Sequence, residues 1–284
     1  KKINRRLVYC SITGFGQTGP RKDQSGYDFM IQGMGGLMSI TGTEISGPLK
    51  AGVAIADIST GLYAVIAILG ALHVRGKKGR GQHIDMALLD VQASWLANQA
   101  MNYLIAGRPP KRYGNAHPNI VPYQAFAVKD GHVIVAVGND RQFARLAKLL
   151  GKPALAESPA YATNRRRVEN RKALAAILQK AFRAKTRKAW LTALEKERIP
   201  AGPINDLAEV FADPQVKARG VLTRLKHPLA GHVPGVTTPI RYSGTKLAYE
   251  KAPPLLGQHT DEVLGEAGFS KAAVKALRAK GIVA

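Results

Sequence analysis

The run Ala54-Ile55-Ala56-Asp57-Ile58-Ser59-Thr60-Gly61-Leu62-Tyr63 constrains this chain more than any other. It sets one carboxylate, Asp57, against the start of a strongly apolar segment. Leu62, Val65, Ile66, Leu69, Leu72 and His73 recur there at three- and four-residue steps, which predicts a helix from about Ser59 to Arg75. Asp57 therefore lies at or just before a helix N-terminus, where free N–H groups and the macrodipole favour an ionised carboxylate. Two readings follow from local chemistry. Asp57 is a helix cap, the usual role of Asp, Ser and Thr at this place, or it is a nucleophile, since Asp carboxylates serve in covalent catalysis.

The remaining composition excludes several function classes. A chain of 284 residues is long enough for two domains. No run is read as approaching the roughly 20 apolar residues of a membrane span, because Gly70 and His73 interrupt the longest one. Lys1-Lys2-Ile3-Asn4-Arg5-Arg6 has no apolar stretch behind its charges and reads as a helix end running into a strand, not a signal peptide. The single cysteine, Cys10, excludes an internal disulfide and reads as a small core residue in a strand. The seven histidines show no HxH or HxxxH pairing, so no zinc site is expected. The net charge of +23 is spread along the chain, and sparse aromatics do not interleave with the basic clusters. No stacking platform for nucleic acid is expected.

In chain order, Arg6–Thr13 reads as a buried strand running into Gly14-Phe15-Gly16-Gln17-Thr18-Gly19-Pro20. The G-x-G-x-x-G spacing there lacks the helix a dinucleotide loop must open, and reads as a glycine-rich exit that lets a ligand approach the backbone. A short helix over Gly26–Gly33, the Asp57 helix, a strand over Gln82–Ala87 and a helix over Asp90–Ala106 complete an α/β pattern. After the linker 108–114 come a hairpin, Tyr123–Val128 and His132–Val137, and helices at 141–150, 165–183 and 186–198. Ile199–Ile204 reads as a break, followed by a short helix at 206–212, strands near 221–226 and 239–242, and two closing helices.

Taken together, Ser11-Ile12-Thr13-Gly14-Phe15-Gly16-Gln17-Thr18-Gly19-Pro20, Gly26-Tyr27-Asp28, Gly35-Gly36-Leu37-Met38, Asp57 with Thr60-Gly61, Gly79-Arg80-Gly81-Gln82, Pro200-Ala201-Gly202-Pro203-Ile204-Asn205, Asp213-Pro214-Gln215 and Leu256-Gly257-Gln258-His259-Thr260 resemble the family III CoA-transferases. The stretches 102–105 and 120–126 are most similar to the succinyl-CoA:glutarate branch of that family. The resemblance implies an α/β fold with a Rossmann-like large domain, residues 1–107 and 216–284, and a smaller α+β domain, residues 115–205, joined by linkers at 108–114 and 206–215. It implies that the family's first strands and many of its CoA contacts fall before Lys1. It also implies an interlocked homodimer.

The family's nucleophile falls on Asp57, which turns the local choice towards catalysis. The implied activity moves CoA from an acyl-CoA, expected to be succinyl-CoA, to a dicarboxylic acid through an aspartyl anhydride and an aspartyl-CoA thioester. The CoA thioester is the substrate, with no metal and no bound cofactor. Ser25, Gly26, Tyr27, Asp28 and Gln17 are the implied CoA contacts, with Gln32 a further candidate. Gly114, Asn115, Ala116 and His117 map to the loop that closes over the aspartate; here Ala116-His117-Pro118 replaces a glycine-rich version, and His117 is either a donor to substrate or a structural loop residue. Alternative readings are a 2-methylacyl-CoA racemase or an inactive fragment. Racemases of the family carry histidine where this chain has Tyr27, and a phenol with a pKa of about 10 is a poor α-proton base. The expected partners are an acyl-CoA, a small acid and a second copy of the chain, with no nucleic acid and no membrane. The expected location is cytoplasmic, or mitochondrial in a eukaryote.

Overall fold

The computed structural model describes residues 3–284; the charged start at Lys1 and Lys2 lies outside them. The chain divides into two compact units, Lys1–Pro203 and Ile204–Ala284.

The first unit opens with β1 (Tyr9–Thr13), followed by the short helices α1 (Asp28–Met34) and α2 (Leu37–Ile40). A small hairpin, β2 (Gly42–Thr43) and β3 (Gly47–Pro48), leads to the long α3 (Ile55–Lys78). Next come β4 (His83–Ala87), α4 (Leu88–Ser94) and α5 (Ala97–Ala106). β1 and β4 pair in parallel, Tyr9 with His83 through Thr13 with Ala87, across a crossover that contains α3. That connection is the βαβ arrangement expected of an α/β fold.

The glycine-rich exit of β1 has a steric reason. A methyl group on Gly14 would fall 2.5 Å from the Cα of Gly26, so the two backbones touch only because neither residue has a side chain. This contact seats the segment leading into α1 against the end of β1. Below it, Ile31, Ala56 and Leu88 form a small core, with Phe15 and Leu89 packed against them.

α3 is longer than its periodicity predicts, gaining four residues at its start and three at its end. Gly70 and His73 sit inside it without breaking it. The expectation that no run approaches a membrane span is therefore corrected: α3 has 24 residues and a mean hydropathy of 1.9 over its best window, long and apolar enough to cross a membrane by length and composition. Its burial pattern is unusual. The buried side chains are Ala56, Ser59, Thr60, Ala64 and Ala71, whereas Leu62, Val65, Ile66 and Leu69 are exposed. Small residues face inward and allow close approach, and the large apolar stripe faces out.

β1 departs from the buried strand expected of it: Leu7, Tyr9 and Ile12 are exposed and Cys10 is half-buried. Only one strand pairs with β1 among the described residues, so its other backbone edge is unpaired.

The rest of the unit is built on β5 (Tyr123–Val128), β6 (Gly131–Ala136), α6 (Asp140–Leu149), α7 (Ala154–Glu157), α8 (Asn164–Glu169), α9 (Arg171–Phe182), α10 (Arg187–Lys196) and β7 (Ala201–Pro203). The hairpin forms as predicted, with Tyr123 opposite Ala136 and Val128 opposite Gly131. Ile199–Ile204 is not merely a break, since β7 within it joins the edge of β6 as a third antiparallel strand. The helix predicted over 165–183 is two helices, because Asn170 leaves helical geometry at φ −105° and ψ 23°. The one predicted over 90–106 also divides, at Trp95–Leu96, before Ala97 with φ 46°.

The core beneath this sheet contains Phe126, Phe143, Leu178, Phe182, Trp190 and Leu194 among others. Arg167 is fully buried in it. Its guanidinium donates to the carbonyl oxygens of Val121 (2.7 Å), Tyr161 (2.9 Å) and Ala162 (3.2 Å), pairs with Asp140 at 2.7 Å and lies over Phe143. A buried charge held this way is satisfied on every side.

The second unit contains α11 (Leu207–Ala212), α12 (Pro214–Ala218), β8 (Leu222–His227), β9 (Gly231–Val236), α13 (Thr260–Glu266) and α14 (Lys271–Ala279). Asp206 and Glu209 form a reciprocal capping box at the start of α11. β8 pairs with Gly231–Val236, and the stretch 239–242 expected as a strand does not form one. The tight turn at 228–230 returns the chain early, helped by the His227 ring, which accepts from the N–H groups of Leu229 and Ala230.

Candidate active site

Asp57 occupies the third position of α3, two residues past its first. The capping residue is Ala54, whose side chain makes no capping bond, so Asp57 is not the cap of its own helix. Its carboxylate is exposed and has no hydrogen-bond or ion-pair partner among the described residues. The start of the helix is instead closed from outside. Ile55 N–H donates to Val53 O (2.8 Å), Ile58 N–H to Ala54 O (3.0 Å), and Ala56 N–H to Oδ1 of Asp28 (2.8 Å). An acidic group on another helix thus does the capping that Ala54 cannot. The Asp57 carboxylate is left free on the positive end of a long helix, beside the buried Ala56.

The Gly14–Gly26 contact seats the segment carrying residues 25–28 against the end of β1. Gln17 is exposed; its backbone N–H donates to both oxygens of Asp85, at 3.0 and 3.2 Å, which holds the loop onto β4. Ser25 and Tyr27 are exposed, and Tyr27 caps α1 only through its backbone. Gly26 is used in the backbone contact. Asp28 is half-buried with both oxygens engaged, Oδ1 by Ala56 and Oδ2 by Nε2 of Gln32 at 2.7 Å. Gln32 is fully buried and also accepts from the N–H of Ala51 at 2.8 Å. Of these candidates, Asp28 and Gln32 are the ones the structure bonds to the start of α3 and its approach, through Ala56 and Ala51.

The loop candidates lie against other elements. Gly114, at φ 60°, donates its N–H to Gly42 O at 2.7 Å, and Ala116 N–H donates to Tyr113 O. Asn115 is exposed. His117 is half-buried, with its N–H on Tyr123 O and its ring 5.4 Å from that of Tyr123. Its Nδ1 accepts from Asn119 N–H at 3.1 Å, which puts the proton of the neutral ring on Nε2. Burial first, and then the positive charge of Arg171, push its pKa below the ordinary imidazole value. None of these four residues contacts the Asp57 carboxylate among the described residues. Of the four, Ala116 lines a cleft of about 780 Å³ together with Thr43, Arg112, Tyr113, Arg171 and Lys172, and Asp57 is not part of its lining. Arg171 is pinned there by the carbonyls of His117 and Pro118 and stacks on Tyr113 at 4.4 Å; burial lowers its pKa. No group of three or more metal-ligating side chains occurs among the described residues.

Gln32 and Asp85 are the residues whose part the sequence reading underrated or missed. Gln32 was only a further candidate, and Asp85 sat unremarked in a strand; no local spacing links either to its partners.

Comparison with known proteins gives the arrangement a lineage. The family model for CoA-transferase family III matches residues 1–260. A succinate–glutarate CoA-transferase of Agrobacterium fabrum (strain C58) is 54% identical over 264 residues, covering 93% of this chain and 66% of the relative. The succinyl-CoA:glutarate CoA-transferase of Homo sapiens is 43% identical over 283 residues, covering 99% of this chain and 65% of the relative. The chain thus spans about two thirds of the length of these relatives. The crystal structure of a CaiB/BaiF family protein from Brucella suis superposes with a TM-score of 0.80 at 53% identity, covering 94% of this chain and 69% of that one. By sequence along most of its length, and by fold, this chain belongs to CoA-transferase family III.

Proposed function

We propose that the protein transfers CoA from succinyl-CoA to a dicarboxylic acid, with glutarate the first acceptor to test, and that Asp57 is the nucleophile. The observation that carries this reading is the unpaired, solvent-facing Asp57 carboxylate in the first turn of α3. The names of the relatives support the donor and the acceptor class.

The steps balance without water or a redox partner. An Asp57 carboxylate oxygen attacks the thioester carbon, the C–S bond breaks, and CoA leaves as thiolate. The mixed anhydride is opened by that thiolate at the Asp57 carboxyl carbon, which frees succinate and leaves an aspartyl-CoA thioester. The acceptor carboxylate attacks the same carbon and expels CoA thiolate, which then attacks the acceptor's acyl carbon and regenerates Asp57. Covalent capture replaces one difficult exchange by easier steps. Each tetrahedral intermediate needs fixed N–H donors, and the Nε2–H of His117, on a loop of the second strand-bearing region, is the group we assign to this once the loop closes. A homodimer supplies a route to that closure, and the exposed apolar stripe of α3 supports it. Tyr27 argues against racemase chemistry at the same site.

Incubation with succinyl-CoA followed by mass spectrometry tests the proposal. The expected result is an acyl or CoA adduct on the peptide containing Asp57, absent in Asp57→Asn, together with loss of at least ~10³-fold in exchange activity. Full exchange in Asp57→Asn overturns it.

A further inference from the structure

We infer that Asp28, with Gln32, is a positioning pair that holds the Asp57 carboxylate in its attacking place, a role that rests on Asp57 being the nucleophile. Four bonds carry the inference. Asp28 Oδ1 accepts from Ala56 N–H at 2.8 Å, one residue before Asp57. Its Oδ2 accepts from Gln32 Nε2 at 2.7 Å. The Gln32 carbonyl oxygen accepts from Ala51 N–H at 2.8 Å, and Nε2 also faces Val53 O at 3.4 Å. Together α1 grips residues 51, 53 and 56, the approach to the nucleophile and the residue beside it.

The grip is needed because the helix has no cap of its own. Ala54 offers no side-chain acceptor, so removal of Asp28 would leave the Ala56 N–H without its partner in a buried place and free the first turn to fray. Asp57 lies in that turn. A displacement of about 1 Å at a reacting group costs on the order of 100-fold in rate. Gln32 being wholly buried makes the clamp rigid, and its amide can satisfy Asp28 and Ala51 together in only one orientation. The arrangement also accounts for Asp28 by bonds within the chain: with both oxygens engaged, its carboxylate does not need CoA for a partner.

The test uses Asp28→Ala, Gln32→Ala, the double variant and Asp28→Asn, with Asp57→Asn measured in parallel. A positioning role predicts a ~10- to 100-fold fall in the rate of adduct formation on Asp57, with the KM for acyl-CoA changed less than about threefold. The double variant should be little worse than either single one, because the two side chains act as a unit. Asp28→Asn keeps an oxygen for Ala56 N–H but turns an NH2 towards Gln32, so it should recover part of the rate. Hydrogen exchange should rise over residues 51–57 in Asp28→Ala. An unchanged adduct rate in Asp28→Ala, or a loss confined to KM, overturns the inference while leaving the nucleophile in place. Retained turnover in Asp57→Asn overturns the nucleophile reading and this inference with it.

Discussion

At the scale of single residues, the setting of Asp57 is local, a carboxylate followed by an apolar run in helical spacing, but that setting left cap and nucleophile both open and the resemblance chose between them. Its wider environment is not local. Ala56 and Asp28 are 28 positions apart, and they meet through tertiary contacts, the Gly14–Gly26 approach and the packing of Ile31 on Ala56 among them. Gly26→Ala tests that contact. The new methyl group would sit 2.4 Å from the Gly14 Cα, and backbone cannot rotate aside as a side chain can. The expected cost is about 1–3 kcal/mol, read from the denaturant midpoint. Gly52→Ala, where nothing lies within 4 Å of the added carbon, should stay within about 0.5 kcal/mol of the parent. If both variants behave alike, the close approach is not what organises this side of the site. His117 illustrates the limit of motif matching. Its loop could be placed along the chain, but the Asn119 and Tyr123 contacts that fix its tautomer and orientation depend on a turn with no strong local signature.

Elements were legible where the pattern is dense and obscure where tertiary contacts decide. The β5–β6 hairpin follows from alternation around Lys129-Asp130-Gly131, whereas β7 is a strand only because an edge of β6 is open to it. Helix ends show the same division. Four helices close with the same paired backbone bonds around a glycine in the left-handed region: Gly151, Gly220, Gly268 and Gly281. α10 closes identically on Arg198, at φ 52°, with Arg198 N–H on Glu195 O at 2.8 Å and Ile199 N–H on Leu194 O at 2.9 Å. Ile199 and Leu194 are both buried, which is the apolar contact that accompanies this cap. A left-handed non-glycine residue costs about 1–2 kcal/mol, and glycine's extra unfolded freedom returns part of it. Arg198→Gly should therefore stabilise the protein by about 0.5–1 kcal/mol, seen as a higher denaturation midpoint with an unchanged slope. A lower midpoint would mean that the Arg198 side chain contributes more than its backbone strain costs.

For the whole molecule, charge and apolar surface pull in opposite directions. A net charge of +23 opposes association of like chains, yet α3 turns Leu62, Val65, Ile66 and Leu69 outward while burying alanine, serine and threonine. A contiguous stripe of this kind marks a surface meant to be covered. The proposed homodimer covers it with a second copy, and the balance of the two terms is adjustable. Salt shortens the range of charge repulsion from about 10 Å at 0.1 M to about 3 Å at 1 M, while apolar burial is not weakened by screening. Association should therefore strengthen as sodium chloride rises, with light scattering giving a mass above that of one 30.5 kDa chain. Ile66→Lys with Leu69→Lys places two charges on the stripe without touching a buried position and should return the mass to that of a single chain. Because neither residue is near the buried start of α3, the adduct on Asp57 should still form in this variant if one chain suffices for the first step. Its disappearance together with the larger species would instead place part of the reacting site on the second copy. A single-chain mass at every salt and protein concentration would remove the homodimer from the proposal.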